Sequence, residues 1–138
     1  KPLIEKIILA TRLQNSYLCF YTKKCIWDGV DCKSIEFIGS SLDDLRAFPI
    51  TARQQAGYQL GEVQNGRMPD DFKPMPTVGQ GCYEIRVRDD TGAYRVIYVA
   101  KFAEAVYVLH CFQKKTQKTS RPDLALAEKR YRELLEER

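Results

Sequence analysis

Between Cys82 and Thr119 the chain reads CYEIRVRDDTGAYRVIYVAKFAEAVYVLHCFQKKTQKT, three strand-like segments in succession that end in a basic tail. Tyr83 to Arg88 alternates apolar and charged residues. Tyr94 to Ala100 is almost wholly β-branched or aromatic, and Val106 to Phe112 continues in that vein. Asp90-Thr91-Gly92 and Ala103-Glu104 are short enough to be hairpin turns, so the stretch predicts a three-stranded antiparallel meander.

Side chains alternate faces with period two and opposed residues share a face, so the chemistry of such a meander can be worked out from turn length. A two-residue turn at Thr91-Gly92 sets Arg88 against Arg95 and Arg86 against Ile97; a four-residue loop sets Arg86 against Arg95. Both place Arg86, Arg88 and Arg95 on one face. A turn at Ala103-Glu104 sets Arg95 against Phe112 and Ile97 against His110, and brings Lys114 to the same side. The other face then holds Ile85, Val87, Tyr94, Val96, Tyr98, Tyr107, Leu109 and Cys111, a core. One residue more in either turn reverses the assignment.

Like charges opposed across a sheet are unfavourable by roughly 0.2–1 kcal/mol, and nothing in such a fold calls for three arginines there. An anion resolves the repulsion. The tail adds Lys114, Lys115, Lys118 and Arg121 with no acid among them, and Phe112 supplies an aromatic plane. Cations with an interleaved aromatic suit a phosphate backbone and a stacked base. The plainer alternative pairs the arginines with Glu84, Asp89 and Asp90 and leaves the tail solvated.

A chain of 138 residues with 44% hydrophobic content makes one domain, or a domain with an arm. Its net charge of +4 only slightly favours a nucleic-acid partner, so the distribution of charge counts for more than its total. Five irregularly spaced cysteines form neither a disulfide framework nor a zinc motif, which points to a reducing cytoplasm and to no metal or other cofactor. No apolar run is long enough for a membrane span, and no signal peptide is evident.

Residues 1–32 read as an arm. Leu3, Ile4, Ile7, Ile8 and Leu13 mark a short amphipathic helix, Tyr17 to Tyr21 a strand, and Cys25 to Asp31 a turn-rich connection. Its apolar content must pack on this core or on another copy of the chain, in a homodimer built through the arm. Ser34 to Ile38 reads as a strand, followed by a helix with Ser41 as N-cap and Asp44 at the capping-box position. Pro49 ends that helix, and Ile50 to Gln64 forms a second with Ala56, Leu60 and Val63 inward. Asn65 to Gly81 is a long loop from which Lys73, extended ahead of Pro74, can reach a ligand. Ser120 to Asp123 opens a last helix with Leu124, Ala127, Tyr131 and Leu134 or Leu135 as its stripe. The order predicts an α+β domain with helices on one sheet face: a small antiparallel sheet, made of the meander and the N-terminal strand, packed against two N-terminal-side helices, with a C-terminal helix.

This order, with SSLDDLRAFP at 40–49, FKPMP at 72–76, YEIRVRDDTGAYRVIYVAKF at 83–102 and VYVLHCFQKKTQKT at 106–119, resembles the RelE/HigB superfamily of type II toxin-antitoxin toxins, in particular its phage-related HigB-like branch. The resemblance covers residues 34–138, so the toxin domain is expected at 33–138 with residues 1–32 outside it. It implies a RelE-like fold and an mRNA interferase: a metal-independent endoribonuclease that cuts messenger RNA, commonly on the ribosome. Its expected partner is a cognate helix-turn-helix antitoxin. Family members carry basic catalytic residues at positions that fall here on Glu84, Arg86, Arg95 and Lys114. Glu84 stands where the archetype has a lysine.

The implied chemistry is attack of a 2'-hydroxyl on the adjacent phosphate, which needs a base, an acid for the leaving oxygen and cations for the developing charge. Arg86, Arg95 and Lys114 suit charge stabilisation, since arginine stays protonated and grips phosphate bidentately. His110, the lone histidine, and Glu84 are the acid–base candidates. Lys73, Arg88, Phe112, Lys115 and Lys118 are expected to bind RNA, Phe112 either stacking a base or closing the core edge. Two rival classes are a non-catalytic phage-derived module that binds RNA or protein, and a structural phage component.

Overall fold

A computed structural model describes residues 33–137 and, ahead of them, the backbone of two short strands, β1 (Ile26–Trp27) and β2 (Val30–Asp31), which pair antiparallel. The helix expected at Leu3–Leu13 and the strand expected at Tyr17–Tyr21 lie outside the described residues. The elements that follow are β3 (Ser34–Phe37), α1 (Ser41–Arg46), α2 (Ile50–Gln64), β4 (Phe72–Pro74), β5 (Cys82–Asp89), β6 (Gly92–Val99), β7 (Ala105–Lys114) and α3 (Arg121–Glu137). The α+β architecture expected from the sequence is found, and it is consistent with a RelE-like fold.

The sheet is larger and less uniform than expected. It has five strands in the order β3-β7-β6-β5-β4, and it is mixed, because β3 runs parallel to β7, Ser34 to Phe37 beside Ala105 to Val108. Two helices and three strands separate β3 from β7 in the chain, ample for the crossover that a parallel pair requires. The second difference is β4, which forms inside the long loop and pairs Phe72–Pro74 with Tyr83–Ile85. It is an edge strand, where the missing N–H of Pro74 is tolerated.

The β5–β6 register sets Arg86 opposite Arg95, the second of the two expected registers, but around a two-residue turn at Asp90-Thr91 rather than a four-residue loop. Asp89 ties that turn by accepting from the Thr91 amide at 2.8 Å and the Thr91 hydroxyl at 2.6 Å. Between β6 and β7, Arg95 faces Phe112 and Ile97 faces His110, also as expected. The next pair is Tyr98 with Val108, so Leu109 is an extra residue on β7, a β-bulge. The connection is Ala100–Glu104 rather than a two-residue turn, and the bulge absorbs the difference. Beyond it the expected faces reverse: Val108 joins Tyr98, while Tyr107 moves to the side of Val99.

Burial shows how the sheet is covered. Residues 94–99 of β6 and 105–112 of β7 are buried without interruption, which alternation forbids unless both faces are packed. The Tyr94 face carries the N-terminal-side helices: the rings of Phe48 and Tyr94 lie 4.8 Å apart, and Ala52, Ala56, Leu60 and Val63 of α2 are buried. The opposite face, at its β7 side, carries α3, with Ala127 and Leu134 buried and His110 bonded to Asp123. Helices therefore cover both faces, where one-sided cover was expected.

Local rules explain most of the ends. Gly39 adopts φ 60, which lets the chain turn from β3 into α1. The N-cap is Ser40 rather than Ser41: Ser40 Oγ lies 2.9 Å from the Asp44 carboxylate, while Ser41 is buried and donates to Val108 O at 3.1 Å. On α3, Leu134 is buried and Leu135 is 46% exposed, and Arg130 joins the buried stripe. Arg130 donates to Leu109 O and to Ser40 Oγ, both at 2.9 Å, so one guanidinium fastens α3 to the bulge and to the start of α1. Burial pulls its pKa below the ordinary value.

Candidate nucleic-acid interface

Strand pairing lays the candidate residues out in rows across one face. Lys73, Glu84, Ile97 and His110 are consecutive cross-strand partners on β4, β5, β6 and β7. The next row is Arg86, Arg95 and Phe112, and the third is Arg88, Ala93 and Lys114. Lys73 was expected on a loop, but its place on β4 carries it into the first row. The rows converge on the corner where β7 ends and α3 begins.

Within this patch the groups differ sharply in exposure. Arg95 is 5% exposed; its Nε lies 3.5 Å from Glu84 Oε1, and its NH1 donates to Tyr94 O at 3.0 Å. Burial lowers its pKa most, Glu84 opposes that, and Arg86 and Arg88 add to it. Glu84 is 1% exposed and also accepts from the Thr119 hydroxyl at 3.2 Å, which ties the segment after β7 to the sheet. Arg86 is half-buried, with Asp71 Oδ1 at 3.9 Å from NH1. The Nε atoms of Arg86 and Arg95 are buried without a hydrogen-bond partner. Buried donors of that kind are rare and call for an explanation.

Lys114 carries the clearest electrostatic signature. Burial and then the charge of Arg95 pull its pKa below that of an ordinary lysine; Glu84 works against this, and Arg86 and Lys73 work with it. Lys73, Arg86, Arg95 and Lys114 thus lie within one another's fields, relieved chiefly by Glu84 and Asp71. Lys73, Arg88, Lys115 and Lys118 are exposed around them.

His110 is 6% exposed, with Nε2 at 2.7 Å from Asp123 Oδ1, and its ring stacks on Phe112 at 4.9 Å between centroids. Its Nδ1 is buried without a partner. Phe112, 8% exposed, lines a small pocket with Gln113, Lys114, Lys115, Thr116, Ser120 and Asp123. Sequence reasoning overlooked the residues that hold these groups: Asp71, Thr119 and Asp123. Only Asp123 left a trace, as a residue of the helix start.

Other chemistry is sparse. Cys82 and Cys111 are free and buried, and burial raises the Cys82 thiol pKa to about 12, so neither presents a thiolate. Among the described residues no cluster of three or more His, Cys, Asp or Glu side chains could hold a metal ion, and no helix is long and apolar enough to cross a membrane.

A mixed five-stranded sheet with helices on both faces and a C-terminal helix is consistent with a RelE-like fold. Residues 43–132, well over half of the chain, match the family described as Phage derived protein Gp49-like (DUF891). The chain belongs to that phage-derived family, a RelE/HigB-like toxin family, whose toxin-antitoxin character implies an antitoxin partner. A search of curated proteins returned no match.

Proposed function

We propose that the protein is an mRNA interferase, the toxin of a type II pair, and that it cuts messenger RNA, in association with the ribosome, by attack of the 2'-hydroxyl on the adjacent phosphate without a metal ion. Residues 33–138 form the toxin domain in this reading. The observation that carries it is the crowding of Lys73, Arg86, Arg95 and Lys114 on one face, where each cation lies in the field of others. A phosphate on that face relieves the repulsion and can accept from the exposed part of the Arg86 guanidinium.

Roles follow from exposure. Arg95, fixed by Glu84 beneath the surface, and Arg86 beside it stabilise the developing negative charge. Lys114, whose pKa is depressed, is the cation best suited to give a proton to the leaving oxygen, and the proton of the attacking 2'-hydroxyl passes to solvent water. Glu84 acts by holding Arg95 rather than by taking a proton, because both its oxygens are engaged inside the protein. His110 holds Phe112 and the start of α3. Lys73, Arg88, Lys115 and Lys118 bind the backbone on either side.

The test is induced expression of the parent, Arg86→Ala and Lys114→Ala at equal folded level. Growth arrest and loss of message in the parent, and their absence in the variants, are the expected result; variants as toxic as the parent overturn it. A second reading, a non-catalytic RNA-binding module, draws on the burial of both Glu84 and His110, which leaves neither free as a general base. Steeply salt-dependent RNA binding by the parent without cleavage decides for that reading.

A further inference from the structure

The pocket at the corner of β7 and α3 is not absorbed by the chemistry at phosphate. It measures about 190 Å³, below the range of sites for drug-sized molecules and suited to one flat ring. One wall is aromatic: Phe112, its ring already set by stacking on His110. The remaining lining includes Thr116, Ser120 and Asp123, which are polar; Gln113, next to Phe112 on β7, turns its side chain to the other face of the sheet. Lys114 belongs both to this pocket and to the cation patch, so an RNA phosphate at the patch brings a neighbouring base to the pocket mouth.

The polar wall is fixed in place and offers acceptors. Asp123 Oδ1 sits 2.7 Å from His110 Nε2, and Ser120 Oγ donates to Asp123 Oδ2 at 2.6 Å. Each carboxylate oxygen keeps further acceptor capacity, because an ionised carboxylate offers about four lone-pair sites. Thr116 gives its hydroxyl hydrogen to Lys118 O, which leaves its oxygen as an acceptor.

We infer that this pocket binds a single nucleobase of the bound RNA, stacked on Phe112, and that Asp123 with Thr116 selects bases bearing an exocyclic amino group over uracil. The inference rests on the proposed reading that the neighbouring cations hold RNA. Adenine and cytosine present an amino donor to a carboxylate, and guanine presents two adjacent donors. Uracil presents carbonyl oxygens that a carboxylate repels, with a lone N3–H between them.

The test uses the full chain and fluorescence anisotropy with 2'-O-methyl hexamers of adenosine, cytidine and uridine, whose blocked hydroxyls prevent cleavage. The parent is expected to bind the adenosine and cytidine hexamers about tenfold more tightly than the uridine one, a modest value for hydrogen-bonded discrimination at a base edge. Asp123→Asn is expected to lower that ratio to about one, and Phe112→Leu to weaken all three hexamers alike. Should Asp123→Asn fail to fold, Thr116→Val, at an exposed position of the pocket lining, is expected to reduce the ratio at least about threefold. Equal binding of the three hexamers by the parent, no binding at all, or a ratio unchanged in the folded variants overturns the inference. Cleavage of unmodified hexamers, followed in parallel, separates the two claims: selective binding without cleavage retains the pocket and removes the nuclease.

Discussion

Replacing Glu84 by glutamine keeps the shape of the side chain and removes its charge, leaving Arg95 buried without a counterion. The two groups are 1% and 5% exposed, and Oε1 to Nε is 3.5 Å. Opposite unit charges at that spacing attract by about 5 kcal/mol at an effective dielectric constant of about 20. Breaking a buried pair by removing one partner costs roughly 3–5 kcal/mol for the same reason. Arg86 and Arg88 already oppose the charge on Arg95, and the one other favourable neighbour, Asp71, acts on it more weakly than Glu84 does. Glutamine still accepts the Thr119 bond, which places the expected loss near the lower figure, about 3 kcal/mol, with the melting temperature down by about 10 °C. Urea unfolding of the parent, Glu84→Gln, Arg95→Met and the double variant gives a coupling energy, expected above about 2 kcal/mol. If Glu84→Gln unfolds within about 0.5 kcal/mol of the parent, or the double variant shows no coupling, the pair does not hold Arg95 and the account of Glu84 as its anchor is refuted.

Two further outcomes follow from the same geometry. The Lys114 pKa lies below its ordinary 10.5, so its contribution to RNA affinity is fully present at neutral pH and is lost as pH rises through that depressed value. RNA affinity measured from pH 7 to pH 10 is therefore expected to fall earlier in the parent than in Lys114→Arg, and identical profiles would count against the crowding of cations. A Cβ added at Gly79 meets the Tyr131 ring at 2.0 Å, and Tyr131 is held there by donating to Gln80 O at 2.9 Å. Gly79→Ala is expected to lose about 3 kcal/mol in thermal unfolding, and Tyr131→Leu in the same chain to recover part of it; an alanine variant as stable as the parent contradicts that packing.

The rows of the cationic face were legible because side-chain alternation and turn length are local properties. Asp90 and Thr91 make the turn, the Arg86–Arg95 register follows, and Phe112 and His110 fall into place beside them. Lys73 was found as a candidate but misplaced, because a three-residue edge strand containing a proline carries no periodicity of its own. The bulge at Leu109 had no local mark either, and it reverses the faces of Tyr107 and Val108.

From the amino-acid sequence alone came the helices from Ser41 onward, the meander and the crowding of like charges on one side of it, since each depends on residues close together in the chain. Tertiary structure alone decided which of those cations face outward. Glu84 reads as an ordinary strand acid until its neighbours enclose it against Arg95, and His110 reads as a free imidazole until Asp123, on a separate helix, closes on it. Burial and counterion pairing are set by contacts between distant segments, and they turn two apparent acid–base groups into supports for the groups around them.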